Sequence, residues 1–310
     1  MTTLRPHIIV TGANGMIGRH VVTALLDGGC FDVHVLGRTV DACAWPGPVI
    51  AHQVDLLRQD AITHLMQDIQ ASHLIHLAWV TEHGRFWQAP ENLDWTAATL
   101  HLARAFIAAG GRRLVVAGSC AEYDWSASAL PTGICHETET PTRPHTLYGV
   151  AKDACRRILA SFCAGADVEL AWGRIFLLFD ANEDSRRLVA GIIDNLLAGR
   201  PALCSPGTQI RDFMAACDVG AAFAQLACSS VTGPVNIASG IGVSVADVAM
   251  TLGNLIQRPD LIRLGALPMR PDEPPCLVAN VRILADIVGF RTNLALSDHL
   301  AVMLRQRRLK

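Results

Sequence analysis

Short apolar runs alternate with helical periodicity through the first half of the chain. His7–Thr11 reads as a buried strand and Gly18–Asp27 as an amphipathic helix. Asp32–Leu36 and a short Val49–Val54 follow as strands, then a helical stretch over Asp60–Gln70. His73–Ala78 is a strand, Asn92–Ala109 a long Ala-rich helix, and Arg113–Ala117 the next strand. A helix begins at Leu147, and Val168–Leu178 reads as one further strand. Strands separated by helices of this length build right-handed βαβ units, so we expect an α/β fold: a Rossmann-type, doubly wound, mostly parallel sheet. The second half is less regular. It predicts a helix over Leu188–Ala198 stopped by Gly199-Arg200-Pro201, and a strand at Val235–Ile237. A capping box at Ser244–Asp247 opens a helix to Ile256, and terminal helices cover Asn280–Val288 and Ser297–Arg305. Pro268–Pro275 holds four prolines and must be loop. The division expected is a parallel-sheet part over 1–172, with segments around 210–240 returning to it. A smaller C-terminal α/β substrate lobe takes most of 173–310.

Composition narrows this picture. Of 310 residues, 51% are hydrophobic and 17% charged, enough for a large core. A net charge of −2 offers no field for nucleic acid and no polybasic run for a membrane. No apolar stretch reaches the length of a membrane span, and the first strand starts too early for a signal peptide. A cytoplasmic location is therefore expected. The ten Cys are scattered without a C-x-x-C pair and read mostly as buried apolar residues. The 12 His form no H-E-x-x-H or H-x-H cluster, so no metal site is expected.

Candidate chemistry sits in two places. Thr11-Gly-Ala-Asn-Gly-Met-Ile-Gly18 lies between the first strand and the first helix. Gly12 permits the tight turn, Gly15 lets a pyrophosphate approach the backbone, and Gly18 lets helix and strand pack closely. Tyr148 and Lys152 stand four residues apart on one helix face, where a Lys cation favours a phenolate and brings the tyrosine's pKa down from about 10. Arg38 stands at the end of the second strand, where an NAD site wants a carboxylate; its permanent charge suits a ribose 2′-phosphate. Asp32 opens that strand instead of closing it. NADP(H) is the preferred cofactor on this reading, with NAD(H) possible.

The G-x-x-G-x-x-G spacing, with Y-G-V-A-K at 148–152, resembles the short-chain dehydrogenase/reductase superfamily. Chain length and glycine pattern resemble its extended branch, the NAD-dependent epimerase/dehydratase family of nucleotide-sugar enzymes. That resemblance implies a catalytic set of Ser119, Tyr148 and Lys152, with Ser119 bonding the reacting oxygen. It also implies cofactor contacts from Met16 and Ile17 in the turn, from Asp55 and Leu56 after the third strand, and from the Leu77–Ala78 backbone in His76-Leu-Ala-Trp79. Gly207-Thr-Gln-Ile-Arg-Asp-Phe213 and Arg270-Pro-Asp-Glu-Pro274 resemble the segments whose arginines hold the sugar-nucleotide diphosphate, here Arg211 and Arg270. The loop Val80–Pro90, with Thr81, Glu82, His83, Phe86 and Trp87, is expected to shape the sugar pocket, Thr81 as a substrate contact. A homodimer through helices at about 92–109 and 147–163 is implied as well.

Departures from the family pattern narrow the reaction. The family's 4,6-dehydratases carry acids where Cys120 and Ala121 stand, and Glu122 is one residue late and faces the other side. Leu177 replaces an Asn that contacts the nucleotide. The expected activity is NADPH-dependent reduction of a nucleotide-linked 4-keto sugar, a 6-deoxyhexose. Its alternatives are a nucleotide-sugar epimerase with tightly bound cofactor and a non-catalytic NADP-binding protein.

Overall fold

The computed structural model describes residues 5–269 and 273–308. In chain order its elements are β1 (His7–Thr11), α1 (Gly18–Gly28), β2 (Asp32–Gly37), β3 (Ile50–Gln53), α2 (Gln59–Ile69), β4 (His73–His76), α3 (Glu91–Ala108) and β5 (Arg113–Ser119). They continue with β6 (Ile134–Cys135), α4 (Leu147–Gly165), β7 (Glu169–Ile175), β8 (Leu177–Phe179), α5 (Leu188–Leu197), β9 (Ala202–Leu203), β10 (Ile210–Ala215) and α6 (Ala216–Cys228). The last are β11 (Gly233–Ile237), β12 (Gly242–Ser244), α7 (Val245–Ile256), β13 (Ile262–Arg263), β14 (Cys276–Ala279) and α8 (Leu296–Arg308).

Seven parallel strands form the main sheet in the order β11-β7-β5-β4-β1-β2-β3. Both faces are covered, which is why these strands are apolar on both sides. Ile8, Val10, Val33 and Val35 pack against Val21 and Val22 of α1 and Val219 and Phe223 of α6. On the other face Ile9, Leu36, Leu74 and Leu114 meet Ile62 of α2, Leu102 and Phe106 of α3, and Leu159 of α4. This is the doubly wound α/β architecture expected, and its strand order reverses beside β1, where such sheets open a crevice.

The C-terminal part, together with β6 from the segment before α4, builds a second, mixed sheet, β12-β10-β14-β6, with β8 joining β10. Its core joins α5, α7 and α8 through Ile193, Leu252 and Leu300. Ser244 caps α7, its Oγ accepting the Asp247 N–H at 2.9 Å, but the expected capping box is only half made: the Asp247 carboxylate accepts from the Ser244 hydroxyl at 2.6 Å and not from its backbone N–H.

Several elements differ from expectation. Val168–Leu178 is two strands, because the chain leaves the main sheet at Phe176 and Leu177–Phe179 pairs with β10; an unbroken apolar run carries no mark of that change of sheet. Asn280 starts no helix, since its side chain accepts the Arg282 N–H at 3.0 Å in a local turn, and only Ile283–Val288 coils, as a π-helix. Strand β10 carries no plain strand pattern because it buries Arg211 and Asp212 among apolar residues, and α6 and β14 are unmarked in the sequence as well. Five of the ten cysteines are buried and four are exposed, so burial accounts for only half of them.

Candidate active site

The glycine turn is a cradle that side chains would fill. Gly12 has φ +69°, and a Cβ there would stand 2.8 Å from the Ala78 nitrogen. A Cβ on Gly18 would overlap the Gly12 carbonyl oxygen, so α1 starts hard against the turn. Thr11 locks this arrangement to the end of β4. Its hydroxyl accepts the Leu77 N–H at 3.2 Å and lies 2.7 Å from His76 Nδ1, while His76 Nε2 reaches the Thr99 hydroxyl at 2.9 Å. The backbone of Leu77 and Ala78 therefore lies directly beside Gly12. Burial and the Lys152 cation push the His76 pKa down to about 3, so the ring is a neutral strut. These glycines and the open backbone between them fit a pyrophosphate, as a dinucleotide site requires.

Around this turn, Met16 and Ile17 are half-buried and Arg38 is exposed just past β2. The Asn14 amide donates to the Thr39 carbonyl and fixes that strand end near the turn. Asp32 pairs in register with His7, at the far end of β2 from the cradle, whereas Leu36 pairs with Thr11. Asp55 is exposed and accepts the Leu57 N–H at 3.1 Å; Leu56 is buried.

Ser119 ends β5 at the same sheet edge. Its position is set from inside the fold by Glu122, which is fully buried. Glu122 Oε1 accepts the Ser119 N–H and the Trp172 indole N–H, both at 2.8 Å, and Oε2 accepts from Arg174 Nε at 2.8 Å. The carboxylate is thus turned away from the cleft. Cys120 and Ala121 are both buried, and burial pushes the Cys120 thiol up to about 12.

Tyr148 lies in the first turn of α4, capped by Thr146, whose hydroxyl accepts the Gly149 N–H at 3.1 Å. Gly149 lets the helix approach the Ser119 loop: a Cβ there would overlap the Ala121 carbonyl oxygen and Pro144. The Tyr148 phenol is brought beside the Ser119 hydroxyl, which favours its ionised form. Burial dominates, however, and raises the phenol's pKa above its ordinary value, with the Arg187 charge opposing. The phenol's pKa is therefore raised overall, where the Tyr148–Lys152 spacing predicts a lowering. The Lys152 ammonium lies 5.9 Å from the Tyr148 ring centroid, donates to the Ala117 carbonyl at 2.8 Å, and stands 3.7 Å from the Trp79 ring centroid. Its own pKa falls to about 8 through burial.

Asn92 organises the other wall. Its Oδ1 accepts the Trp79 indole N–H at 2.8 Å, and its amide donates to the Phe86 and Ala89 carbonyls, each at 2.8 Å. Phe86 and Trp87 then set their rings edge-on to Tyr148, with centroids at 4.9 and 5.9 Å. Thr81 is exposed at the start of this loop.

Arg211 is buried, donates to the Ile210 carbonyl at 2.7 Å and pairs with Glu273 at 2.9 Å. Asp212 turns the other way and accepts from Ser239, Gly240 and Ala279. Arg270 lies outside the described residues. Among the described residues Cys217, Asp218 and His299 bring potential ligand atoms within 4.8 Å of one another, away from any His motif of the sequence. Arg187, Trp79 and Asn92 entered the site without a sequence signal that marks their roles. No described helix is long and apolar enough to cross a membrane.

Comparison with known proteins finds relatives of this chain. The chain is 26% identical over 175 residues to the dTDP-6-deoxy-L-talose 4-dehydrogenase (NAD(+)) of Aggregatibacter actinomycetemcomitans, covering 56% of this chain and 61% of that protein. It is 26% identical over 318 residues to the UDP-glucose 4-epimerase of Azospirillum brasilense, covering 93% and 88%. The solved structure of MoeE5 in complex with UDP-glucose and NAD superposes with a TM-score of 0.80 at 28% identity, over 98% of this chain and 99% of that one. The model of the NAD dependent epimerase/dehydratase family matches residues 8–238, three quarters of the chain. The protein belongs to the NAD-dependent epimerase/dehydratase family.

Proposed function

We propose that the protein reduces a nucleotide-linked 4-keto sugar, a 6-deoxyhexose, with NADPH. The observation that carries the reading is the convergence of Ser119, Tyr148 and Lys152 at the sheet edge beside the glycine cradle, with the Tyr148 phenol raised by burial. A phenol that keeps its proton near neutrality is suited to give it to a carbonyl oxygen. A nicotinamide cofactor, when bound, supplies the hydride. Tyr148 donates the proton to the forming alcohol, and the Ser119 hydroxyl holds the same oxygen. Lys152 keeps a cation beneath the site, steered by the Ala117 carbonyl and the Trp79 face. Gly12, Gly15, Met16, Ile17, Gly18, Asp55, Leu56, Leu77 and Ala78 would hold the dinucleotide, and exposed Arg38 would take its 2′-phosphate. Thr81, Arg211 and Arg270 would hold the sugar nucleotide, with Arg211 released from Glu273. The absence of acids at Cys120 and Ala121 and the inward turn of Glu122 argue against dehydration.

A second reading is a nucleotide-sugar epimerase, in which the same three residues oxidise and re-reduce one carbon. It is favoured by the end-to-end similarity to a UDP-glucose 4-epimerase, where the 4-dehydrogenase aligns over about half the chain. A non-catalytic NADP-binding role is a third reading, which the intact triad disfavours. Exposed Leu93 on α3 and Val150, Ile158 and Phe162 on α4 support a homodimer through that helix pair.

The test is to follow NADPH absorbance with a nucleotide-linked 4-keto-6-deoxyhexose. Stoichiometric NADPH loss is expected, slowed about 100-fold or more in Tyr148→Phe. Interconversion of UDP-glucose and UDP-galactose without net cofactor consumption would replace this reading with the second, and full function of Tyr148→Phe would favour the third.

A further inference from the structure

Helix α6 lies on the main sheet, with Val219 and Phe223 packed into that core. Helix α8 belongs to the other core through Leu300 and Met303. In their first turns three side chains converge from the two helices: Cys217 and Asp218 on α6, and His299 on α8. Potential ligand atoms of the three all lie within 4.8 Å of one another.

The contacts inside this trio are incomplete. His299 Nε2 stands 2.9 Å from Asp218 Oδ2, the distance of an ion pair. Yet that oxygen is shut off from solvent and receives no hydrogen bond. The two atoms are close but misaligned, so no N–H···O bond forms between them. The Thr292 hydroxyl reaches the same Nε2 only at 3.3 Å, and Cys217 Sγ lies 3.9 Å from Asp218 Oδ1. Asp180, whose charge also reaches Cys217, is already held by Arg19 and His20. Leaving a buried carboxylate oxygen unbonded is costly, and a cation placed among the three side chains would relieve it.

We propose that Cys217, Asp218 and His299 form a zinc site that clamps the main-sheet helix α6 to the terminal helix α8. The donor set selects the metal: thiolate, imidazole and carboxylate all serve Zn²⁺, whereas Mg²⁺ and Ca²⁺ want oxygen ligands. Zinc bonds of about 2.0–2.3 Å set tetrahedral ligand atoms about 3.3–3.8 Å apart, so small side-chain rotations close the trio on one ion. A water would complete the fourth position. Cys217 gives its proton to solvent as the S–Zn bond forms. Thiolate and carboxylate then balance the two charges of the ion, which the positive end of α6 would otherwise repel. No local motif marks the site, because its third ligand comes from the far end of the chain. It lies outside the catalytic set and does not depend on the nucleotide-sugar reading.

Metal titration of the chelator-stripped full-length protein tests the site, with Co²⁺ as spectroscopic probe and Zn²⁺ as competitor. Wild type should take up Co²⁺ with a near-ultraviolet thiolate-to-metal band that equimolar Zn²⁺ removes. Cys217→Ala should abolish the band and still fold, since Cys217 is exposed. Cys217→Ala and His299→Gln should each weaken Zn²⁺ binding by about 10- to 100-fold or more, at least the cost of losing an outer-shell partner. Saturating Zn²⁺ should raise the melting temperature of wild type but not of Cys217→Ala. A wild type with neither band nor zinc-dependent melting shift overturns the inference and leaves Asp218 and His299 as an ion pair. A band that persists in Cys217→Ala belongs to another exposed thiol, Cys30, Cys43 or Cys228, and overturns it too. Unchanged Zn²⁺ affinity in folded His299→Gln would remove the link to α8 and with it the clamp.

Discussion

Glu122 holds Ser119 from within the core: its Oε1 accepts the Ser119 N–H at 2.8 Å while Oε2 neutralises the buried Arg174 guanidinium. One carboxylate thus couples the placement of a candidate catalytic hydroxyl to the stability of β7. Glu122→Ala leaves Arg174 buried without a counter-charge and should cost about 3–5 kcal/mol in urea denaturation. Glu122→Gln should cost less yet still lower kcat, since its amide cannot balance the guanidinium. Equal stability of wild type and Glu122→Ala would refute this coupling.

Acid should weaken the fold through two histidines held neutral inside it. His34 lies between His7 and His52, at 2.8 and 2.9 Å, with Asp32 nearby, and burial together with these rings lowers its pKa to about 4. His76 falls to about 3. Both values lie below the ordinary 6.5, so the unfolded chain takes up these protons first. Their neutral forms stabilise the fold above pH 6.5, and that contribution declines as pH drops towards 4 and below. Denaturation midpoints at pH 7, 5.5 and 4.5 should fall in turn, and His34→Gln should flatten the decline.

Lys152 acts in an alkaline window. Its pKa is depressed from 10.5 to about 8, so the unfolded chain binds the extra proton between those values and stability rises with pH across them. At pH 7 the buried ammonium is a cost. Lys152→Met should therefore raise the melting temperature at pH 7 while abolishing turnover, a trade of activity for stability. A lower melting temperature would show that the Ala117 and Trp79 contacts outweigh desolvation.

Gly18→Ala tests the cradle. Its new Cβ would collide with the Gly12 carbonyl oxygen, so α1 must retreat from the turn. A loss of about 1–3 kcal/mol in stability is expected from overpacking, with dinucleotide binding lost beyond what stability explains. Dye-free calorimetry of NADPH binding on folded protein separates the two effects.

Substitution of Arg38 tests the cofactor preference proposed above. Arg38→Ser should weaken NADPH by about 10-fold or more and leave NADH unchanged, because only the 2′-phosphate meets the guanidinium. Equal affinities in wild type and variant, measured by fluorescence titration, would return Arg38 to solvent.

Much of the first half was legible in the residues. Strands buried on both faces must be apolar throughout, and the helices between them must be amphipathic, so β1 to β5 and α1 to α4 announce themselves. The spacing of Gly12, Gly15 and Gly18 marked the cradle, because only glycine fits where backbone meets backbone. The pair Tyr148 and Lys152 was readable as an i, i+4 spacing, and Glu122 as one residue out of phase. The tertiary structure decided the rest, since it depends on contacts between residues far apart in the chain. No local pattern says that Lys152 turns to Ala117 and Trp79 instead of the phenol, that Asn92 ties Trp79 to the Phe86 loop, or that Arg187 arrives beside Met16 from a different lobe. Burial, too, is a property of the assembled molecule: it raises the Tyr148 phenol and lowers the Lys152 ammonium, reversing what their spacing alone implies.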